Sequence, residues 1–175
     1  MKIIFIGYMG CGKSYIGHIL SLITNNNFFD LDLIINKIYK VNTNKIFKIY
    51  GEYKFRFIEN KILKLFFKVT NKKSYFLSVG GGTPCYFNNI NFMNNYVNTI
   101  YFKLSLNFLY KRLLKDNKKR PILNIGKGNK IRIYKSLKKH YNKRIKFYKR
   151  SKYFININKI SFFKIAYYIK KKFNL

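Results

Sequence analysis

GYMGCGKS, residues 7–14, decides how the rest of the chain is read. Before it stands KIIFI, residues 2–6, a short β-branched apolar run of the kind that forms a buried parallel strand. After it, Ile16, Ile19, Leu20 and Ile23 recur at helical spacing. A strand, a G-x-x-x-x-G-K-[ST] turn and a helix together make a phosphate-binding loop. Gly7, Gly10 and Gly12 let the backbone curl until its N–H groups face inward. Those donors and the helix N-terminus hold phosphate oxygens. Lys13 is a point charge for the β- and γ-phosphates, and Ser14 offers a hydroxyl to Mg²⁺. The motif points to a nucleoside triphosphate and leaves the second substrate open.

Outward from the loop, apolar runs alternate with helical patterns. Strands are predicted at 28–29, 75–79, 99–104 and 153–157. Helices are predicted over 14–24, 33–50, 52–68, 88–94, 106–114, 131–148 and 162–173. The second of these breaks near residues 42–44, where Thr43 is placed to cap a new helix. This alternation argues an α/β fold with a parallel sheet, helices on both faces and ligands at the carboxyl ends of the strands. The 175 residues suit a single domain over 1–175 with no interdomain linker. No apolar run reaches the ~18 residues of a membrane span, and no secretory leader is visible, so a cytoplasmic protein is expected. Cys11 and Cys85 lack the spacing of a metal site or disulfide framework and read as free thiols.

The chain carries 37 Lys and Arg against five Asp and Glu, a net charge of +32. The excess is spread along the chain, and the abundant residues (Lys, Asn, Ile, Phe, Tyr) have A/T-rich codons. Compositional bias therefore explains the charge without a specific nucleic-acid partner. Weak, salt-sensitive polyanion binding is still expected. Against this background, acids are informative. Four of the five fall in two short segments: Asp30 and Asp32, then Glu52 and Glu59. In phosphoryl transfer one acid can hold the waters of Mg²⁺ while another orients the acceptor hydroxyl. Helix-dipole complementarity is the competing explanation for the aspartate pair.

Five features occur in order. They are Asp30-Leu-Asp32, IFKIYGEYKFRFIE (46–59), Gly80-Gly81-Gly82, Arg120-Pro121, and Arg144 followed by Tyr148. In this order the chain resembles the shikimate kinase family over most of its length. The resemblance implies a P-loop nucleoside-monophosphate-kinase-like fold with a five-stranded parallel sheet in order 2-3-1-4-5. It also implies a substrate-binding region over about 32–62 and a lid over about 115–130. The implied activity is Mg²⁺-dependent transfer from ATP to the 3-hydroxyl of shikimate, a step towards chorismate and the aromatic amino acids, by a monomer. Asp30, with Ser14, would sit by the metal through water, and Asp32 would orient or deprotonate the attacking hydroxyl. Arg56 and Arg144 would clamp the substrate carboxylate, with Arg150 an alternative to Arg144. Gly80, Gly81 and Gly82 would bring backbone close to the substrate. Lys13 and Arg120 would stabilise the transferring phosphoryl group. Gly10, Cys11, Gly12, Lys13, Ser14, Tyr15, Arg112 and Arg120 would form the ATP set, with Arg112 stacking on adenine. Phe47, Phe55 and Pro121 would wall the substrate, and Glu59 would hold Arg56 in its rotamer. His18 and His140 are expected at the surface.

Two departures stand out. No Pro follows Arg144, and FININKIS (154–161) lacks the acid and Pro usual in an adenine loop, leaving backbone and Asn156 or Asn158 to replace them. Other small P-loop kinases, acting on gluconate or a nucleotide, and a catalytically degenerate nucleic-acid-binding relative are the alternatives.

Overall fold

The computed structural model describes residues 1–70, 73–115 and 130–175. Its centre is β1 (Lys2–Ile6), whose Ile3, Ile4, Phe5 and Ile6 have no solvent exposure. A strand buried on both faces needs apolar side chains on both, which explains the unbroken run of KIIFI. On one side of β1 lies β3 (Tyr75–Ser78), then β2 (Asn27–Asp30). On the other side lie β4 (Asn98–Lys103) and β5 (Tyr153–Asn156). The order is β2-β3-β1-β4-β5 and every pairing is parallel. This is the order that the resemblance implies.

Parallel strands need crossovers, and helices supply them: α1 (Lys13–Thr24), α2 (Leu31–Tyr39), α3 (Thr43–Val69), α4 (Asn89–Tyr96), α5 (Leu106–Lys115) and α6 (Lys130–Tyr148). Right-handed crossovers put α1 on one face of the sheet and α3, α4 and α6 on the other. The last helix, α7 (Phe162–Lys172), returns to pack against α1. Ser161 caps α7 by accepting from the Lys164 N–H at 3.3 Å. The core is one continuous apolar cluster, in which Phe5 stacks on Phe102 at 5.2 Å between centroids. Each such side chain contributes about 1.5–3 kcal/mol relative to exposure.

Register carries the fold to the site. Asp30 is paired with Ser78, and Ser78 with Phe5, so the carboxyl ends of β1, β2 and β3 lie level. The loops that leave them (7–12, 30–32, 79–82) therefore open on one rim.

Among the boundaries that differ from the sequence expectation, two helix starts lie beside the site. Helix α2 starts at Leu31 because Asp30 is its N-cap, accepting from the Asp32 N–H at 3.0 Å. Asn42, not Thr43, caps α3, accepting from the Asn44 N–H at 2.9 Å. Asn ranks above Thr at this position, and both candidates sat side by side. Within α3, Gly51 takes φ 75 and ψ 174, a break that lets two helical stretches meet at an angle.

Candidate active site

The phosphate loop is shaped by main-chain geometry. Gly12 stands at the N-cap of α1 with φ 100, a left-handed conformation that residues with a Cβ rarely adopt. The Lys13 ammonium, nearly buried, donates to the carbonyls of Gly7 at 3.0 Å and Tyr8 at 3.2 Å. It thus already lies inside the curl where phosphate oxygens would meet it. Ser14 Oγ donates to Asp30 Oδ2 at 2.6 Å and lies 3.3 Å from Ser78 Oγ. Hydroxyl and carboxylate oxygens are hard donors, and this set fits Mg²⁺ better than a softer metal. No cluster of three His, Cys, Asp or Glu side chains occurs among the described residues.

Two cavities meet at this rim. The larger, about 460 Å³, is lined by Gly10, Lys13, Ser14, Asp30, Asp32 and Gly80 among others. The smaller, about 140 Å³, is lined by Asp32, Phe47, Phe55, Arg56, Glu59 and Gly80, Gly81 and Gly82, with Met9, Thr43 and Asn44. Asp32, Gly80 and Gly81 belong to both. Asp32 therefore stands on the shared wall between a phosphate-loop cleft and an arginine-walled chamber. Its carboxyl is pushed up to about 7, first by burial and then by the charges of Glu59 and Asp30, against the pull of Lys13 and Arg56. A carboxylate poised near neutrality is suited to taking a proton from a hydroxyl.

The chamber floor is an ion-pair network. Arg56 is 4% exposed and donates from Nη1 to Glu59 Oε2 at 2.8 Å. Glu59, wholly buried, also accepts from the Thr83 hydroxyl. Burial works against the Arg56 charge, but Glu59 and Glu52 outweigh it and hold its pKa above the ordinary value. Asn89 donates to the Thr83 carbonyl at 3.0 Å, and Asn60 donates to Asn89 at 2.6 Å, which fixes the 80–85 turn to α3. Close approach dictates glycine here: a Cβ on Gly82 would lie 2.2 Å from Arg56 Nη2. The Tyr148 hydroxyl donates to the Gly81 carbonyl, tying α6 to the same turn.

Arg144 is 5% exposed and lies beside Gly81, where a Cβ would be 3.3 Å from its Nη1. Arg150 is elsewhere, exposed and bonded to Asn91. Arg112 donates to the Cys11 carbonyl at 3.3 Å and lies over the Phe162 ring at 4.8 Å. Tyr15, largely exposed, meets the same ring at 5.2 Å between centroids. Asn158 accepts from the Ser105 N–H at 2.9 Å and Asn156 from the Asn158 N–H at 3.1 Å, so their carbonyls staple the loop after β5. Arg120 and Pro121, with nearly all of the expected lid, lie outside the described residues.

Sequence reasoning missed several participants. His140, expected at the surface, is half-buried, and its Nδ1 lies 2.6 Å from the Tyr8 hydroxyl. Burial, and then the charge of Arg144, push its pKa down to about 4. His18 is exposed, as expected. Thr83, Asn89 and Phe162 carried no spacing signal. The Tyr8–His140 contact spans two elements far apart in sequence.

The family model described as shikimate kinase matches residues 9–173. A shikimate kinase of Flavobacterium psychrophilum is 37% identical over 171 residues, 97% of each chain. One from Azobacteroides pseudotrichonymphae is 39% identical over 134 residues, 76% of this chain and 77% of that one. The crystal structure of shikimate kinase from Bacteroides thetaiotaomicron superposes with a TM-score of 0.88 at 26% identity, covering 100% of this chain and 99% of that one.

Proposed function

The chain belongs to the shikimate kinase family, and on that footing we propose how its residues divide the work of moving the γ-phosphate of ATP onto the 3-hydroxyl of shikimate. The supporting observation is the place of Asp32, on the wall shared by the phosphate-loop cleft and the arginine-walled chamber.

ATP lies along the loop, its phosphates on the inward N–H groups and the α1 N-terminus. Lys13 leaves its carbonyl partners for the β- and γ-oxygens. Arg112, Phe162 and Tyr15 offer flat surfaces to the base. When bound beside Ser14 and Asp30, Mg²⁺ would neutralise charge on the phosphates. Shikimate fills the chamber with its carboxylate between Arg56 and Arg144, a planar anion against two guanidinium forks. That places its ring hydroxyls towards Asp32 and the Gly80–Gly81 backbone. Asp32 orients the attacking hydroxyl and accepts its proton as the new oxygen–phosphorus bond forms and the bond from the γ-phosphorus to the bridging oxygen breaks, releasing ADP. Glu59 and Thr83 hold Arg56 in its rotamer, and Phe47 and Phe55 exclude water. Arg120 enters on its motif alone, as the cation that meets the transferring phosphoryl group.

The continuous apolar core supports a single domain over residues 1–175. No helix among the described residues is long and apolar enough to cross a membrane. Two free cysteines support a cytoplasmic setting. Arg56→Ala tests the substrate assignment. The KM for shikimate should rise about 10- to 100-fold, the loss of a charge-assisted hydrogen-bonded pair, with the KM for ATP nearly unchanged. An unaltered KM for shikimate would move the carboxylate elsewhere.

A further inference from the structure

The clamp is already engaged by a carboxylate of the protein. Glu52 Oε1 lies 3.3 Å from both Nε and Nη2 of Arg56 and 4.0 Å from Nη2 of Arg144. A single oxygen therefore sits where the two guanidiniums converge. We propose that Glu52 is a placeholder for the substrate carboxylate, held in the arginine clamp and displaced into solvent when a carboxylate-bearing acceptor enters.

The two acids on Arg56 differ in the way this role requires. Glu59 is 1% exposed, grips at 2.8 Å and is pinned from behind by Thr83. It belongs to the framework. Glu52 is 39% exposed, and its contacts with Arg56 and Arg144 are 3.3 Å or longer. It can leave without opening the core. The backbone just before it is the Gly51 break, where a Cβ would meet nothing within 4 Å. Glu52 thus follows directly on a bend in the helix. Arg144 supplies the other half of the reasoning. It is nearly buried, and Glu52 is the acid paired with it among the described residues. A buried guanidinium without a counter-charge is costly, and Glu52 lowers that cost until substrate arrives. Exchange of one carboxylate for another then leaves the net charge of the clamp unchanged. A neutral ligand of the same shape has nothing to offer Arg144 and leaves Glu52 in place. Displacing Glu52 thereby costs a carboxylate-bearing acceptor part of its affinity, while the clamp stays charge-compensated until that acceptor enters.

The inference rests on the clamp assignment for Arg56 and Arg144, and the experiment separates the two. Shikimate binding is measured by calorimetry for the wild type, Glu52→Gln and Arg56→Ala. Steady-state kinetics are run in parallel, and the neutral analogue with a hydroxymethyl group in place of the carboxylate serves as control. Glu52→Gln should bind shikimate about two- to fivefold more tightly, the value of a half-exposed ion pair, with the analogue's affinity unmoved. Weaker or unchanged shikimate binding, or a fall in kcat, would overturn the placeholder and make Glu52 a positioning residue for Arg56. Undiminished binding by Arg56→Ala would instead remove the clamp itself. Should the glutamine variant fail to fold, Glu52→Asp withdraws the carboxylate by one methylene and must give the same tightening.

Discussion

The phosphate loop keeps its shape with main-chain groups, whereas the arginine-walled chamber is held together by charged side chains. In the loop, Lys13 is tied to two carbonyls and the turn is set by glycine dihedrals. In the chamber, Arg56, Glu59, Glu52 and Arg144 come from two helices and depend on one another's charge. The loop is a local object, complete within residues 7–14. The chamber exists only once β2, α3, the 80–85 turn and α6 have been brought together. Loss of one side chain should therefore silence chemistry at the loop while leaving the fold intact. In the chamber it should disturb binding and stability at once.

The largest effect tests the loop side. Lys13→Ala should reduce kcat by about a thousandfold or more, as loss of a transition-state cation does, with the thermal midpoint little changed. A variant that turns over normally would remove Lys13 from its role. Asp32, at the junction, comes next. Asp32→Asn should lower kcat by about a hundredfold or more while ATP still binds. The pH profile sharpens the same point. The active form is the ionised carboxylate, so kcat/KM for shikimate should rise with pH through about 7, and the asparagine variant should lose that limb. Stability moves the other way. The folded pKa lies above the unfolded value of 3.8, so stability from the protonated form is full below that value and is lost as pH rises through about 7. Thermal melts of the ligand-free protein from pH 4 to 8 read this directly.

On the chamber side, Glu59→Gln should cost about 3 kcal/mol of stability, because it leaves Arg56 buried with only the loose Glu52 contact. Denaturant titration measures it, and a neutral result would break the contrast between the two halves. The smallest effect lies outside both. Ser161→Ala, at the α7 cap, should cost about 1 kcal/mol without changing KM for either substrate.

The same contrast governs what could be read beforehand. The loop, the strand order implied by the resemblance and the acid-rich segments were legible because each is local or sits at fixed spacing. All four described acids do gather at one rim. The helix-dipole reading of the aspartate pair also holds, since Asp30 caps α2 while its other oxygen meets Ser14. The choice between Arg144 and Arg150 was not legible. Both lie in a basic stretch, and only the docking of α6 on the 80–85 turn, through Tyr148 and Gly81, separates them. His140 was misread for the same reason: its neighbour Tyr8 is 132 residues away. Glu52 stood in the quoted motif but carried no role, because its meaning lies in a distance to a second helix.

An ADP-release assay with purified protein, MgATP and one acceptor at a time (shikimate, gluconate, AMP or none) tests the central assignment most directly. Shikimate alone should support turnover well above the acceptor-free rate. Equal or faster release with gluconate or AMP, or none with shikimate, would contradict it.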